Sequence, residues 1–485
     1  MSMITDADLL RILRQHNPWW TTEKVPETLA PSHRRRDFHV LKESLNTKDI
    51  LGLIGARRTG KSTLMYQLVQ HLLERVDSSR VMFLKVDDYY LKVDEESIKR
   101  IFELYSTNIL RTPLEKLDEP IYIFLDEIQS LPEWGDTMKQ WLDFGYKIKF
   151  TVSSSSSVTL RRENTETLAG CFHPQIIRPM KYLEVVRFKE KDHEKYDEIN
   201  RALTGALVAS IRSGSPSLIY QAFNLLNQRL ASERDQLLIY LQQYLMKGGY
   251  PELIETEDVY KVTNTLRDYL DQTIYRDIVK TFLIRDPRSF ETLFTVLASE
   301  CSRRLNYSTL IRELGIRKET LKDYLLYLEH SFLITEARFY TRSRRSQELK
   351  EKKIYINDVG LRNAVTGFLN PNIISLPEQM RLVTENVVAD HCRRLKFELE
   401  HELDSTIFHW SDKKSNEVNI VVELFKKPIP IEVKYQERVS ESELVGVHEF
   451  IERHEPPIGF VVTRNDLKLE GRLIFVPLWL FLFLC

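Results

Sequence analysis

A glycine-rich loop containing a lysine and a serine is the stretch of this chain best suited to bind a phosphate. Gly55 begins and Ser62 ends GARRTGKS, which fits the pattern GxxxxGK[ST] and follows an apolar run at residues 50–54. In this pattern backbone N–H groups surround phosphates, the lysine reaches the β- and γ-phosphates, and the hydroxyl holds Mg²⁺. The sequence therefore predicts a site for ATP and Mg²⁺. The predicted nucleotide-binding residues are Gly55, Arg58, Thr59, Gly60, Lys61, Ser62 and Thr63.

Two adjacent acids at the end of a second apolar run complete this site. The run IYIFLDEIQ, at residues 121–129, is typical of a buried parallel strand. Asp126 is expected to share the Mg²⁺ with Ser62, and Glu127 to polarise the attacking water, which makes Glu127 and Lys61 the predicted catalytic residues. The alternative, a solvated strand end, is disfavoured by the complete glycine-rich loop upstream.

Two further strand patterns extend the predicted sheet. VMFLKVDDYY (residues 81–90) ends in acids, and KIKFTVSSSSS (residues 147–157) ends in hydroxyls. Strands alternating with helices predict a doubly wound parallel sheet, with the nucleotide at the carboxyl ends of its strands. Ser153 would then contact the γ-phosphate or the attacking water. The remaining serines of this run are expected to form a flexible loop.

The motifs NPWW, RRRDF, GARRTGKST, FLDEIQSLPEW and TLAG together resemble those of AAA+-related P-loop ATPases, in their archaeal and bacterial branch within the broader STAND-like group. The resemblance implies ATP hydrolysis. Family members usually carry a glycine where this chain has Val152 and an arginine where it has Cys171. The missing arginine would have to be replaced by Arg161, Arg162 or Arg178, or turnover would be slow. It also leaves open a site completed by a second copy in a homo-oligomer.

The middle of the chain reads as helical. Residues 184–297 are amphipathic with few helix breakers, which predicts a helical lid. The motif NYSTLIRELGIRKETLKDYLLYLEH then predicts a helix, a turn at Gly315 and a second helix. Residues 332–340, a basic loop and KKIYIND predict a hairpin. Residues 298–356 are accordingly interpreted as a winged helix.

The winged-helix segment is locally basic. From Cys301 to Lys353 there are 13 Lys and Arg residues against 7 Asp and Glu residues, in a chain whose net charge is −1. This asymmetry favours phosphate contacts and makes DNA the predicted partner, with protein docking as the alternative. The predicted DNA-binding residues are Arg317, Lys318, Lys322, Arg342, Arg344 and Arg345.

The C-terminal segment, residues 357–485, resembles the PD-(D/E)xK nuclease fold. A helix is followed by successive strand patterns, and Glu432 and Lys434 alternate so that both lie on one strand face. In that fold acids hold Mg²⁺ and the lysine helps to activate water. Asn419 stands where an aspartate is expected, although Glu417 lies on the same strand face and Glu385 on the preceding helix. The interpretation is a degenerate nuclease-like domain, with active cleavage as the alternative.

Composition and the chain ends bear on location. The four cysteines lack metal spacing and are expected to be reduced thiols of a cytoplasmic protein. The apolar end, residues 475–485, is shorter than the roughly 20 residues of a spanning helix, so a buried terminal strand is predicted rather than a membrane anchor. The pair Trp19 and Trp20 is expected in the core, with packing near the adenine as the alternative.

The predicted fold is a multidomain α/β chain. Its parts are a P-loop ATPase domain at residues 1–183, a lid at 184–297, a winged helix at 298–356 and a nuclease-like domain at 357–485. The main hypothesis is an ATPase that couples nucleotide state to DNA binding or remodelling. The alternatives are an ATP-gated DNA nuclease in repair or defence, and an ATP-driven signalling or assembly switch that binds protein partners.

Overall fold

The structure is a computed structural model that describes residues 5–47, 49–88, 97–131, 134–155, 168, 170–341, 343–401 and 406–485. The chain divides into two compact units, Met1–Arg178 and Pro179–Cys485. Each unit has its own sheet, and each carries one of the two predicted sites.

The first unit is built on a five-stranded parallel sheet in the order β2-β3-β4-β1-β5. Its strands are β1 (Ile50–Ile54), β2 (Val81–Lys85), β3 (Ile121–Asp126), β4 (Ile148–Ser154) and β5 (Phe172–Ile176). β1 and β3 are buried along their whole length, as expected for strands covered on both faces. The predicted parallel sheet is confirmed, and β5 is a strand that the sequence patterns missed.

Helices of the first unit cover this sheet. They are α1 (Asp6–His16), α2 (Trp19–Thr22), α3 (Arg36–Ser44), α4 (Lys61–Leu72), α5 (Ser97–Tyr105) and α6 (Trp134–Asp143). The apolar face of α4, including Met65, Leu68 and Val69, is fully buried. Trp19 is also fully buried, and its indole N–H donates to the Val81 carbonyl at 3.0 Å. The prediction that this tryptophan belongs to the core is therefore confirmed.

The second unit begins with a series of consecutive helices. They are α7 (Tyr182–Glu190), α8 (His193–Ser213), α9 (Ser217–Arg229), α10 (Arg234–Lys247), α11 (Val259–Asp271), α12 (Val279–Phe282) and α13 (Pro287–Ser299), with a π-helical segment at Gln272–Ile278. They are followed by α14 (Tyr307–Leu314), the left-handed residue Gly315 and α15 (Lys318–His330). Leu321, Leu325 and Leu328 of α15 are buried, as the apolar stripe predicts.

An eight-stranded sheet forms the rest of the second unit, in the order β12-β13-β11-β10-β9-β8-β6-β7. Its strands are β6 (Ile334–Phe339), β7 (Lys353–Ile356), β8 (Phe408–Ser411), β9 (Glu417–Leu424), β10 (Lys427–Lys434), β11 (Gly459–Thr463), β12 (Lys468–Glu470) and β13 (Leu473–Pro477). The hairpin β6–β7 is antiparallel, and β6 pairs in parallel with β8. The hairpin predicted as a wing is thus part of the same sheet as the strands of the nuclease-like segment.

Helices also accompany this sheet. They are α16 (Arg344–Leu349), α17 (Val359–Thr366), α18 (Pro377–Glu400), α19 (Val445–His454) and α20 (Leu478–Leu484). α16 lies in the β6–β7 connection, where the sequence predicts only a basic loop. The central part of α18, from Leu382 to Cys392, is buried without interruption, so this helix runs through the interior of the unit.

The apolar C-terminal end differs from its prediction. Residues 473–477 form the strand β13, but Leu478–Leu484 form the helix α20, so a strand prediction for the last residues is wrong. A short apolar run does not distinguish a strand from a buried helix, because neither shows a polar face. All seven residues of α20 are buried. Within the described ranges, no helix has the length and hydropathy needed to cross a membrane.

Candidate functional site

The glycine-rich loop lies between β1 and α4 and approaches neighbouring backbone closely. A Cβ atom on Gly55 would lie 1.9 Å from the Ile177 carbonyl oxygen, so only glycine fits there. Gly60 precedes α4 with φ 96°, a left-handed conformation that favours glycine. The two glycines of the motif are therefore required for different steric reasons: close approach to backbone at Gly55 and a left-handed conformation at Gly60. The helix α4 begins directly after Gly60, at Lys61.

Lys61 is buried against its own loop. Its Nζ donates to the carbonyl oxygens of Gly55 at 2.8 Å and Ala56 at 2.9 Å, and the side chain is 5% exposed. Thr59 closes the loop, with Oγ1 donating to the Ala56 carbonyl at 3.0 Å. Arg35, which the sequence analysis missed, donates from Nη1 to the Thr59 carbonyl at 2.8 Å. The ammonium is thus held by neutral carbonyls, which a phosphate oxygen could replace as acceptor.

Asp126 joins the loop to the ends of two strands. Ser62 Oγ donates to Asp126 Oδ2 at 2.7 Å, and the hydroxyl of Ser153 donates to Asp126 Oδ1. Burial, and then the negative charge of Glu127, raise the pKa of Asp126, against the effect of these two hydrogen bonds. Ser153 is itself fully buried and accepts a bond from the Glu127 N–H at 2.9 Å. The predicted Mg²⁺ residues Ser62 and Asp126 therefore lie together, with Ser153 behind them.

Glu127 adopts a left-handed backbone conformation with φ 60°, directly after β3. Gln129 Nε2 donates to Glu127 Oε2 at 2.5 Å and to Ser155 Oγ at 2.9 Å. Burial would raise the pKa of Glu127, but the charges of Lys61 and Arg57 and the Gln129 bond outweigh it and lower that pKa. Glu127 is accordingly a carboxylate held in place by Gln129, a residue that the sequence analysis did not single out.

The remaining loop residues have less defined roles. Arg58 is exposed and left-handed at φ 62°, and Thr63 is half-buried on the first turn of α4. Of the arginines considered as replacements at Cys171, Arg178 is buried, whereas Arg161 and Arg162 lie outside the described residues.

The second predicted site also comes together. Asn419 Nδ2 donates to Glu385 Oε2 at 3.1 Å, and the Asn419 N–H donates to Glu432 Oε2 at 3.0 Å. Lys434 Nζ lies 2.9 Å from Glu432 Oε1. α18 thus supplies Glu385, β9 supplies Glu417 and Asn419, and β10 supplies Glu432 and Lys434. We call these five residues the carboxylate cluster.

A buried lysine from β7 occupies the centre of the carboxylate cluster. Lys353 Nζ lies 3.0 Å from Glu385 Oε1 and 3.5 Å from Glu417 Oε1, and the Lys353 side chain is 1% exposed. Tyr355, two residues further on the same strand face, donates to Glu385 Oε1 at 3.1 Å. Arg304 Nη2 contacts the other oxygen of Glu417 at 3.0 Å. Lys353, Tyr355 and Arg304 were not predicted to be near these acids.

The protonation behaviour of the carboxylate cluster follows from these pairs. Burial would lower the pKa of Lys353, but Glu385 and Glu417 outweigh it and raise that pKa. Burial would likewise raise the pKa of Glu417, but Lys353 and Arg304 lower it. Burial raises the pKa of Glu432 to about 7, although Lys434 opposes the shift. The acids that would bind a cation are therefore already paired with cations of the chain.

Both polar atoms of the Asn419 amide have hydrogen-bond partners inside the protein. Its Oδ1, the atom that could bind a hard cation, accepts a hydrogen bond from the Val433 N–H at 2.8 Å. In the part of the chain that the structure describes, no group of three or more His, Cys, Asp or Glu side chains is arranged to hold a metal ion. The donor set of the carboxylate cluster does not fit Mg²⁺, because a protein ammonium takes the carboxylate oxygens.

The predicted DNA-binding residues that can be located are on the surface. Arg317, Lys318 and Lys322 are exposed at the start of α15, and Lys318 and Lys322 share a helix face because they are four residues apart. Arg345 is exposed on α16. Arg344 belongs to α16, and Arg342 lies outside the described residues.

Comparison with known families identifies the glycine-rich site. Residues 47–186, which contain the loop, Asp126, Glu127 and Ser153, match the family described as AAA domain. This segment is therefore similar to AAA domains, and we call residues 47–186 the AAA domain. The AAA domain is followed by matches to two domains of unknown function, DUF8612 at residues 239–372 and DUF4143 at residues 382–481.

Whole-chain relatives give no further function. The chain is 24% identical to the uncharacterized protein MJ1544 of Methanocaldococcus jannaschii, over 99% of both chains. It is also 24% identical to the uncharacterized protein MJ1637 of the same organism, over 92% of this chain and 88% of the relative. A solved structure, the Walker-type ATPase PABY2304 of Pyrococcus abyssi, aligns at TM-score 0.39 and 14% identity, over 69% of this chain and 95% of that one.

The residues of the AAA domain fit ATP and Mg²⁺. The Ser62 hydroxyl and the Asp126 carboxylate are oxygen ligands of the kind that Mg²⁺ prefers, and they are 2.7 Å apart. Lys61 provides a buried cation on the phosphate side of the loop, and α4 begins at the same point. Nucleotide use and ATPase activity are therefore supported at the level of the family.

Proposed function

We propose that this chain binds and hydrolyses ATP and uses its nucleotide state to control DNA binding by the second unit. The observation that carries the ATPase part is the hydrogen-bonded set of Ser62, Asp126, Ser153 and Glu127 beside the lysine of the glycine-rich loop. The domain organisation proposed with it is an ATPase domain, a helical lid, a winged helix and a nuclease-like domain, with the boundaries predicted from sequence.

The proposed chemistry assigns one task to each residue of the AAA domain. Lys61 exchanges its bonds to the Gly55 and Ala56 carbonyls for bonds to the β- and γ-phosphate oxygens, while Ser62 and Asp126 hold Mg²⁺. Bound Mg²⁺ would neutralise charge on the phosphates. Glu127, kept ionised and held by Gln129, polarises the attacking water. Ser153 fixes the Glu127 backbone and so links the γ-phosphate side to Asp126.

DNA is proposed as the partner because of the local charge. The exposed residues Arg317, Lys318 and Lys322 surround the start of α15, the second helix of the helix–turn–helix. Arg342, Arg344 and Arg345 in the β6–β7 connection would extend the contact to the phosphate backbone. A cytoplasmic location and a homo-oligomer that completes the ATP site remain part of this proposal.

The carboxylate cluster is proposed as a structural centre that does not cut DNA. Lys353 supports this interpretation, because its ammonium contacts two of the acids that a nuclease would use for Mg²⁺. Asn419 supports it further, because its amide oxygen is committed to Val433. The alternative of an ATP-gated nuclease requires Lys353 to leave a fully buried ion pair, which is costly.

The first test is ATP hydrolysis by the full chain, measured with and without duplex DNA. Wild-type protein is expected to hydrolyse ATP faster with DNA, and Lys61→Ala to abolish turnover. Turnover preserved in Lys61→Ala would overturn the ATPase assignment. If the rate of ATP hydrolysis does not change with DNA but changes with a protein partner, the assembly switch is favoured.

A second test concerns cleavage. Labelled linear, branched and single-stranded DNA is incubated with wild type or Glu432→Ala, with Mg²⁺ or Mn²⁺, and with or without ATP. We expect intact DNA in every reaction. Cutting by wild type that disappears in Glu432→Ala would establish the nuclease alternative and contradict the structural interpretation of the carboxylate cluster.

A further inference from the structure

A cavity of about 810 Å³ opens in the second unit beside the β6–β8 strand pair. Its cationic lining residues are Arg304, Lys350, Lys413 and Arg453. We call it the basic cavity. Its volume lies within the range of roughly 300–1,000 Å³ that is usual for pockets that enclose small ligands.

The charge of the basic cavity favours an anion. Four cations face two carboxylates, Glu351 and Asp412. The Asp412 carboxylate is already engaged locally, since it accepts from the Asn416 N–H at 2.7 Å and from the Asn416 amide at 2.8 Å. Lys350, Lys413 and Arg453 are exposed and can meet a ligand. Phosphate oxygens are the expected partners of such a set.

Aromatic side chains form part of the same wall. Tyr340 is only partly buried, and its ring is supported by Phe450 at 5.6 Å and by His454 at 5.3 Å between ring centroids. Trp410 lies behind as buried wall. A partly exposed ring held by its neighbours is a surface on which a planar base can stack.

A buried histidine adds a hydrogen-bond acceptor to this lining. His409 is 1% exposed, and its Nε2 lies 2.9 Å from the Glu351 carbonyl, which fixes the proton on Nε2. Burial, with the nearby charge of Lys353, lowers the pKa of His409 to about 3, so the ring stays neutral. Nδ1 is then an acceptor, and it has no hydrogen-bond partner among the described residues. Such an atom is costly to bury unless something donates to it.

We propose that the basic cavity binds one nucleotide unit of a single-stranded nucleic acid. The phosphate lies on the cations, the base stacks on Tyr340, and a sugar hydroxyl or base N–H group faces His409. A concave cavity admits an unstacked base, whereas the stacked bases of a duplex cannot enter it. This inference rests on the proposed nucleic-acid binding of the second unit and adds the form of the ligand.

The basic cavity is distinct from the carboxylate cluster but touches it through one residue. Arg304 lines the cavity and also contacts Glu417 at 3.0 Å. The remaining cations of the cavity carry no role in the ATP site. Variants at Tyr340, Lys413 and Arg453 are therefore expected to leave basal ATP hydrolysis unchanged.

The experiment measures fluorescence anisotropy of a labelled oligo(dT) strand and of a labelled duplex with the full chain. We expect Tyr340→Ala and the double variant Lys413→Glu, Arg453→Glu each to weaken oligo(dT) binding at least about tenfold. Tyr340→Phe keeps the ring and is expected to bind normally. The matched charge control is Lys261→Glu, an exposed lysine on α11 outside the cavity.

The outcomes separate this inference from the proposed function. In one outcome all cavity variants bind oligo(dT) as the wild type does, and the double variant Lys318→Ala, Lys322→Ala does not bind it. This result would overturn the cavity as the binding site and would support DNA binding by α15. If the wild type does not bind oligo(dT), the proposed cavity site is also overturned. If the wild type binds oligo(dT) but not the duplex, the result counts against the proposed function and not against the cavity site. The charge variants keep the test open if Tyr340→Ala does not fold.

A last arm distinguishes a strand from a free nucleotide. Adenosine monophosphate is titrated by calorimetry into a Lys61→Ala variant, so that the AAA domain does not contribute. Weak or undetectable binding of adenosine monophosphate together with tight binding of oligo(dT) would support a nucleic-acid strand as the ligand of the basic cavity. Tight monophosphate binding without oligo(dT) binding would overturn the strand as the occupant.

Discussion

The two units each contain a buried lysine in a site with carboxylates, but the two lysines donate to different groups. Lys61 of the AAA domain donates to two backbone carbonyls, and the carboxylates of Asp126 and Glu127 are held by Ser62, Ser153 and Gln129. Lys353 of the carboxylate cluster is instead paired directly with Glu385 and Glu417. In the first arrangement backbone carbonyls accept from the ammonium, and phosphate oxygens could replace them as acceptors. The second uses the charge to hold the fold together.

The largest effect is expected from removing the cation of the carboxylate cluster. Lys353→Ala leaves Glu385 buried without its ammonium, whereas Glu417 keeps Arg304. Unfolding of the second unit should therefore become easier by about 3–5 kcal/mol. The measurement is urea unfolding of the full chain. The exposed Lys426→Ala should change it little.

Adding Glu385→Gln to Lys353→Ala should recover part of the lost stability, because one unpaired charge is removed with its partner. If the Lys353→Ala protein is as stable as the wild type, Lys353 does not have the stabilising role that distinguishes it here from Lys61.

In the AAA domain the largest expected effect is on the rate of ATP hydrolysis rather than on the free energy of unfolding. Glu127→Gln is expected to lower ATP turnover about a hundredfold or more and to keep ATP binding, because Glu127 polarises the water while the loop binds the phosphates. The measurements are steady-state hydrolysis and binding of labelled ATP. Glu119→Gln alters an exposed acid away from the site and serves as the control. Normal turnover by Glu127→Gln would remove this residue from the proposed mechanism.

Ser153 tests how far the AAA site depends on its supporting hydroxyl. Ser153→Ala removes a donor to Asp126 and the acceptor of the Glu127 N–H, at a cost of about 1–3 kcal/mol for a buried group left without a partner. We expect roughly tenfold slower turnover, with Ser153→Thr retaining more activity than Ser153→Ala. Equal rates for Ser153→Ala and wild type would show that the hydroxyl is not needed to position the two acids.

The smallest effect concerns acid sensitivity of the second unit. Burial lowers the pKa of His391 to about 4, while its Nε2 accepts from the Tyr182 N–H at 3.1 Å. Below pH 6.5 the unfolded chain gains a proton on this histidine and the folded chain does not, so stability falls as pH decreases toward 4. Between pH 7 and 5 the loss should be about 1–2 kcal/mol.

The matched variant for this effect is His391→Gln, which does not titrate. Its unfolding free energy should depend less on pH over the same interval, by about the contribution of one histidine. An unchanged pH dependence would mean that folding does not lower the pKa of His391.

The sequence predicted which residues of the AAA domain lie close together because their signals are local. The glycine-rich loop, the two acids at the end of β3 and the serine of β4 occur at the carboxyl ends of neighbouring parallel strands, so the sheet alone brings them together. Gln129 could have been found, since it lies two residues after Glu127. Arg35 belongs to the motif RRRDF, but that motif does not indicate its contact with Thr59, which lies 24 residues away.

The carboxylate cluster was predicted only in part. Alternation along β9 and β10 identified Glu417, Asn419, Glu432 and Lys434, but not the strand that completes them. Lys353 belongs to a hairpin that the sequence assigns to a wing, and only the pairing of β6 with β8 brings that hairpin to the sheet. Parallel pairing over a long separation in sequence has no local signature. Arg304 was missed for the same reason.

The β6–β7 hairpin joins the larger sheet through few backbone pairs, Arg338 with Phe408 and Phe339 with His409. Ile334, Ile354 and Ile356 pack the hairpin into an apolar core, and the ammonium of Lys353 on β7 adds a buried ion pair with Glu385. A force on the hairpin would have to separate opposite charges in a medium of low dielectric constant, where their attraction acts over a longer distance than apolar contact. The ion pair should accordingly keep resisting displacement after the apolar contacts have been lost, with little influence of salt, because the charges are buried.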